Sequence, residues 1–271
     1  MSYYKVLNLE KEPFSTSPDP VFFYRSQSHD SALKRLEITI RLRRGLSVIL
    51  GDVGTGKTTL SRTLVQAFQG EDNFIFHMIL DPSYKTEFQF LSSLIKMFGM
   101  KPEFRSTLDY KDIIEKYLFQ KGVDENKTIV LLIDEGQKLN ANQLELLRIL
   151  LNYETNEYKL LQLVILSQME LLPRLRKIRN FMDRIALKYI INPLDETETK
   201  EMIAFRLKQA GYNGSQPLFT DDAIKLIYER TQGYPRRIAL LCHDCLEALI
   251  INEKSQVDYD LVSQMVQQEV K

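Results

Sequence analysis

Gly51-Asp52-Val53-Gly54-Thr55-Gly56-Lys57-Thr58 fits the pattern G-x-x-x-x-G-K-[ST], and Thr59 extends it. Such a loop does phosphate chemistry when it joins a strand to a helix. The glycines let the backbone curl so that successive N–H groups point at phosphate oxygens, and the helix N-terminus adds the positive end of its dipole. Lys57 would reach the β- and γ-phosphates, and the Thr58 hydroxyl would ligate Mg2+. A second segment carries the complementary chemistry. Ile129-Val130-Leu131-Leu132-Ile133 is an apolar run that ends in Asp134-Glu135. Asp134 would hold Mg2+, directly or through water, and Glu135 would orient and deprotonate an attacking water. Phosphoryl transfer needs both charge neutralisation and placement of the nucleophile. Alone, the two carboxylates would read as the start of a turn or a helix cap. After a phosphate loop they predict hydrolysis of a nucleoside triphosphate.

The elements that must position these residues are legible as short apolar runs. Segments 46–50, 74–80, 129–133 and 163–166 read as buried strands, with a fifth at 187–191. They are continuously apolar rather than alternating, as strands covered on both faces should be. Helical patterns at 58–68, 87–98, 110–120 and 143–151 fall between them. Strands alternating with helices predict an α/β fold, with a parallel five-stranded sheet flanked by helices. Beyond Asn192-Pro193 the pattern changes. Asp195 followed by Glu198 marks a helix start, and further helices are expected at 221–231, 236–251 and 258–270. The expected division is therefore an α/β nucleotide-binding domain at 1–193 and a small all-helical domain at 194–271.

Composition narrows the function classes. The 271 residues carry 36 Lys/Arg and 36 Asp/Glu, so a wholly basic nucleic-acid binder is excluded, though a local basic face is not. From residue 194 onward there are 9 Lys/Arg and 13 Asp/Glu, a net of −4, which leaves +4 on the rest. The longest apolar runs, 129–133 and 238–242, are far short of the roughly 20 residues of a membrane span. The first 14 residues show no apolar core followed by small residues, so no secretory signal is expected. Two cysteines, Cys242 and Cys245, give no disulfide framework, which fits a reducing cytoplasm.

These residues, with others, resemble the AAA+ ATPases, and within them the general secretion pathway protein A (ExeA/GspA) family, itself similar to ATPase regulators of transposition. The family's opening phrase appears as Phe14, Pro18-Asp19-Pro20, Phe22, Tyr24, Ser26, His29 and Ala32-Leu33. Its phosphate loop appears as Gly51 to Thr59, with Asp52 for the usual Glu. Its D-E-A-Q appears as Asp134-Glu135-Gly136-Gln137, its G-Q-P-E-L as Ser167-Gln168-Met169-Glu170-Leu171, and its G-x-P-R as Gly233-Tyr234-Pro235-Arg236. The resemblance runs from Tyr4 to about Val270. It implies an AAA+ core with a helical lid, ATP and Mg2+, and ATP hydrolysis. It makes Gln168 the sensor 1 residue, Arg236 sensor 2 and Arg184 an arginine finger acting on a neighbouring subunit's nucleotide. A homo-oligomer, ring or filament, follows from the finger. The opening segment and the lid would enclose the adenine. Ser167 and Met169 depart from the family's Gly and Pro. Longer secretion-type relatives continue into a membrane span and a cell-wall-binding domain, so a stand-alone member and a cytoplasmic portion are both compatible with the match. A cytoplasmic location is expected, with association to the inner membrane face through a partner or a further segment.

Three functions compete at this point. One is an ATPase that drives oligomer assembly or remodelling of a secretion or cell-envelope partner. The second is an ATP-dependent DNA-binding regulator of transposition. The third is a nucleotide-gated scaffold with little hydrolysis. Arg174, Arg176, Lys177, Arg179, Arg184 and Lys188 crowd one stretch in which Asp183 is the only acid. The stretch reads as a DNA phosphate surface, as the face presenting the finger, or as a solvated helix face. Lys34, Arg35, Arg41, Arg43 and Arg44 read by default as a solvated face. Cys242-His243-Asp244-Cys245 has C-x2-C spacing, but zinc would need two more ligands, and the segment lies in an apolar helix. Buried, inert thiols are expected. His29 reads as structural or adenine-proximal.

Overall fold

The structure is a computed structural model that describes residues 3–101, 106–178 and 180–269. The chain divides into two compact units. One holds His29–Asp52 and Leu60–Ile191. The other holds the residues up to Ser28, the loop Val53–Thr59 and the chain from Asn192 onward. This division falls two residues from the expected 193/194 boundary. It differs in grouping the N-terminal segment and the phosphate loop with the C-terminal helices.

In the first unit five strands form one parallel sheet: β1 Leu46–Gly51, β2 Phe74–Ile79, β3 Thr128–Ile133, β4 Leu161–Ser167 and β5 Ile185–Ile191. Their order is β2-β3-β4-β1-β5, with Leu50 opposite Ser167 and Ile133 opposite Ile165. Every residue of β1, β3 and β4 is buried. Leu46, Val48, Leu50, Ile129, Leu131, Ile133, Leu163 and Ile165 share a core with α4 Glu87–Met97, α5 Thr107–Phe119, α6 Ala141–Leu150 and α7 Leu171–Arg176. Side chains alternate between faces along a strand. The alternate residues Ile49, Val130, Leu132 and Val164 are buried too, so both faces are covered. Because all strands run parallel, their C-terminal ends share one edge, and that edge carries Asp134 and Glu135 after β3 and Gln168 after β4.

Two local departures from the sequence reading have clear causes. β4 begins before 163, because Gln162 is buried with its side chain satisfied. Its carboxamide accepts from the Gly45 N–H and donates to the Lys159 carbonyl, both at 2.8 Å. α5 begins at Thr107 because Ser106 and Asp109 form a reciprocal capping box that the apolar periodicity does not reveal.

His77 on β2 packs at 4.6 Å centroid distance against Phe98, and its Nε2 lies 3.0 Å from the Tyr117 hydroxyl. Burial pushes its pKa down to about 4. The folded pKa thus lies below the unfolded value, so stability is unaffected above pH 6.5 and is lost as pH falls from 6.5 toward 4. Discounted for partial exposure, the loss is roughly 2 kcal/mol. Urea unfolding at pH 7 and pH 4.5 should show it, and His77→Phe should shrink the difference between the two.

The second unit is built from α8 Glu196–Gln209, α9 Asp221–Thr231, α10 Pro235–Ile251 and α11 Tyr259–Glu269, with α1 Tyr3–Val6 and the opening segment packed against them. Asp195 and Glu198 make the expected capping box. Phe14 is 1% exposed and meets Phe219 edge to face. Arg206 fastens the opening segment to α8 by donating to the carbonyls of Phe22 and Ser15, each at 3.2 Å. Cys242 and Cys245 form no disulfide and are fully buried in α10, and burial raises the Cys242 pKa well above its ordinary value. Among the described residues no group of three or more His, Cys, Asp or Glu side chains is placed to hold a metal ion. Likewise, among the described residues no helix is long and apolar enough to cross a membrane.

Candidate nucleotide site

β1 ends at buried Gly51, and α3 Lys57–Ala67 begins where the loop closes. Gly54 and Gly56 hold φ of 83° and 93°, the left-handed region that favours glycine. A Cβ on Gly54 would also press on Arg236 Cβ at 3.0 Å. Thr55 is fully buried, and Lys57, in the first turn of α3, is 7% exposed. The loop is therefore a curled backbone with a buried ammonium at a helix N-terminus, the arrangement that binds oxyanions. In the same unit, the backbone N–H of Arg236 donates to the Gly54 carbonyl at 3.2 Å. Pro235 opens α10, so Arg236 stands in that helix's first turn, tied by its main chain to the loop.

At the end of β3, Asp134 is 3% exposed. Its N–H donates to the Ile79 carbonyl at 2.8 Å, and its Oδ1 accepts from the Glu135 N–H at 2.9 Å. Glu135 has φ 53°, left-handed for a residue with a side chain, which costs roughly 1–2 kcal/mol. The next residue leaves no room for relaxation. A Cβ on Gly136 would lie 2.4 Å from Ile165 Cγ2, so Gly rather than the family's Ala suits this backbone. Glu135 Oε2 accepts from Gln137 Nε2 at 2.6 Å. Gln137 Oε1 accepts from the Gln168 N–H at 3.1 Å, just past the end of β4. Arg174 on α7 donates to the carbonyls of Gln137 at 2.6 Å and Leu139 at 3.3 Å.

The structure thus gathers Asp134, Glu135 and Gln168 at the C-terminal edge of the sheet, the edge from which β1 leads into the phosphate loop. Arg184 is not among them. It precedes β5 and lies at the opposite edge, on the wall of a cavity of about 640 Å3 with Arg44, Lys159, Asn180 and Asp183. Its Nε is buried with no hydrogen-bond partner among the described residues. The basic stretch is accordingly not one face: Arg174 bonds backbone at one edge, Arg184 lines a cavity at the other, and Arg179 lies outside the described residues. The second basic cluster is not simply solvated either. Arg41 pairs with Glu37 and Glu71, and Arg43 donates to Thr128 and Asn126. His29 is buried at 1% exposure in α2 Gln27–Arg41. Sequence reasoning assigned no role to Gln137 or Ser167 and read Arg174 only as part of the basic stretch. The local signal for Gln137 and Ser167 is their position at or just beyond the ends of β3 and β4.

The family description "AAA domain" matches residues 40–175, half of the chain, spanning both the phosphate loop and Asp134-Glu135. The chain belongs to this AAA domain family. General secretion pathway protein A of Aeromonas hydrophila is 36% identical over 249 residues, 91% of this AAA chain and 44% of that protein. The chain therefore spans less than half the length of that curated relative. The solved structure of Drosophila ORC bound to DNA matches with TM-score 0.70 and 21% identity, over 100% of this chain and 66% of its own. The Aeropyrum pernix ORC2 protein, in ADPNP-ADP complexes, matches with TM-score 0.68 and 17% identity, over 95% of this chain and 71% of its own. At these identities the two structures show a shared AAA+ fold: the parallel five-stranded sheet flanked by helices, with the C-terminal helices following.

Proposed function

We propose that this AAA protein is a Mg2+-dependent ATPase of the general secretion pathway protein A type. In this reading it uses ATP to drive its own assembly and the remodelling of a secretion or cell-envelope partner. The observation that carries the reading is the left-handed, glycine-curled loop around buried Lys57, in a chain whose β3 ends in buried Asp134 followed by Glu135. Loop N–H groups from Gly51 to Thr59 and the Lys57 ammonium would hold the phosphates of ATP. Asp134 and the Thr58 hydroxyl are hard oxygen donors, one of them a carboxylate buried at a strand end, and this fits Mg2+. That ion is usually held by one or two carboxylates together with substrate phosphates rather than by a cage of protein ligands. When bound, Mg2+ would neutralise charge on the phosphate oxygens.

Glu135 orients a water in line with the γ-phosphorus and accepts its proton. The new bond joins water oxygen to phosphorus, the bond from phosphorus to the bridging oxygen breaks, and ADP leaves with the electron pair. Gln168 senses the γ-phosphate, and Arg236 reaches the nucleotide from α10. Arg184, at the far edge of its own sheet, serves a neighbouring copy, which makes the working form a ring or filament. The protein works in the cytoplasm, associated with the inner membrane face through its partner.

Binding tests the phosphate cradle. Wild-type protein with Mg2+ should bind a fluorescent ATP analogue at micromolar concentration, and Lys57→Ala should weaken it at least about 30-fold through loss of a charge-assisted contact. Equal binding by both proteins would remove the loop from the account. A second reading, an ATP-dependent DNA-binding regulator of transposition, draws support from a structural neighbour solved bound to DNA. It is weakened by the internal engagement of Arg174, Arg41 and Arg43.

A further inference from the structure

We propose that Gln137 is a positioning residue for Glu135, and that through it the end of β4 at Ser167-Gln168 sets where that carboxylate points. The inference rests on the ATPase reading and concerns the control of the same site. Gln137 is only 9% exposed, and both ends of its carboxamide are committed. Nε2 donates to Glu135 Oε2 at 2.6 Å. Oε1 accepts from the Gln168 N–H at 3.1 Å. The Ser167 hydroxyl lies 3.2 Å from the same Oε1 and 3.1 Å from the Gln168 carbonyl, sharing its proton between the two.

Chemistry fixes the orientation of this amide. A flipped carboxamide would set its oxygen against a carboxylate and its NH2 against an N–H, two mismatches at once. The frame around it is stiff. Arg174 clamps the Gln137 carbonyl, Gly136 is wedged against Ile165, and Glu135 sits in left-handed backbone. The side chain of Glu135 is thereby coupled to one neighbour, and that neighbour is read by β4. A shift at Ser167-Gln168 reaches the carboxylate through two hydrogen bonds, without passing through the β3 backbone. Ser167 belongs to this chain's own version of the device, since it stands where the resembled pattern carries Gly and a Gly could not supply the hydroxyl.

The test is a mutant cycle read by single-turnover ATP hydrolysis, KM and binding of the fluorescent ATP analogue. It uses wild type, Gln137→Met, Ser167→Ala, the double variant and Lys57→Ala, with thermal unfolding as the folding control. Gln137→Met keeps the size and removes both bonds. It should lower the hydrolytic rate about 10–100-fold through misplacement of the base, with KM and analogue affinity within about twofold. Ser167→Ala should cost a few-fold alone and nothing further in the double variant, since both act through one carboxamide. If Gln137→Met does not fold, Gln137→Glu takes its place. It keeps the size, sets an acceptor against Glu135 and should lower the rate at least as much. A rate within twofold of wild type, or effects of the two positions that simply multiply, overturns the positioning role alone. Wild-type turnover no higher than that of Lys57→Ala overturns the ATPase reading and this inference with it.

Discussion

Glu135→Gln slows ATP turnover by about 10^3-fold and leaves ATP bound. The substitution preserves size and removes the group that takes the water proton, and loss of general-base catalysis costs roughly 10^2 to 10^4. The binding elements, Lys57 and the loop N–H groups, are untouched. The variant therefore accumulates in the ATP state and should assemble into larger particles with ATP but not with ADP, as light scattering would show. Adding duplex DNA at near-physiological salt then separates the two readings of the partner. Tight, ATP-dependent, steeply salt-sensitive binding favours the DNA regulator, whereas assembly without DNA binding favours remodelling of an envelope protein. Turnover within tenfold of wild type would mean that Glu135 is not the base.

The second large effect is one of stability. Gly233 has φ 72°, and a Cβ there would lie 1.8 Å from the Leu194 carbonyl oxygen and 2.9 Å from its carbon. The obstacle is backbone, so no rotamer change relieves it. The same two residues are joined by a hydrogen bond from the Leu194 N–H to the Gly233 carbonyl at 2.9 Å, and Gly233→Ala must part them. The expected loss is about 3–5 kcal/mol, near the upper end for single substitutions, or a Tm lower by about 10 °C. Arg236 follows three residues later with its N–H on Gly54, so nucleotide affinity should fall as well. A Tm within 1 °C of wild type, measured by calorimetry, would show that the 231–236 turn is not held as described.

What the sequence discloses and what it hides follow from range. The phosphate loop, the apolar strand ending in Asp134-Glu135 and the Asp195 cap are local, and each was legible as a contiguous pattern. Cys242 and Cys245 were legible as buried because their helix is apolar on both sides of them. Strand order was not, since pairing of β1 with β4 and β5 joins residues more than a hundred positions apart. The expected strand at 163–166 left out Gln162, whose partners at Gly45 and Lys159 only the fold discloses. The engagement of Arg41, Arg43 and Arg174 was hidden because Glu71, Thr128, Asn126 and the Gln137 carbonyl come from distant segments. The bonds of Gln137 and Ser167 were hidden for the same reason: polar residues at the ends of two strands disclose no partner until both strands are in place.

The central claim is hydrolysis of ATP at this loop. The direct measurement is phosphate release from saturating ATP with Mg2+, on concentrated wild-type protein beside Lys57→Ala, so that sites completed by a neighbour can form. The account predicts steady release by wild type that rises more than linearly with protein concentration and is absent from Lys57→Ala. Release from wild type indistinguishable from the Lys57→Ala control at every concentration would contradict it.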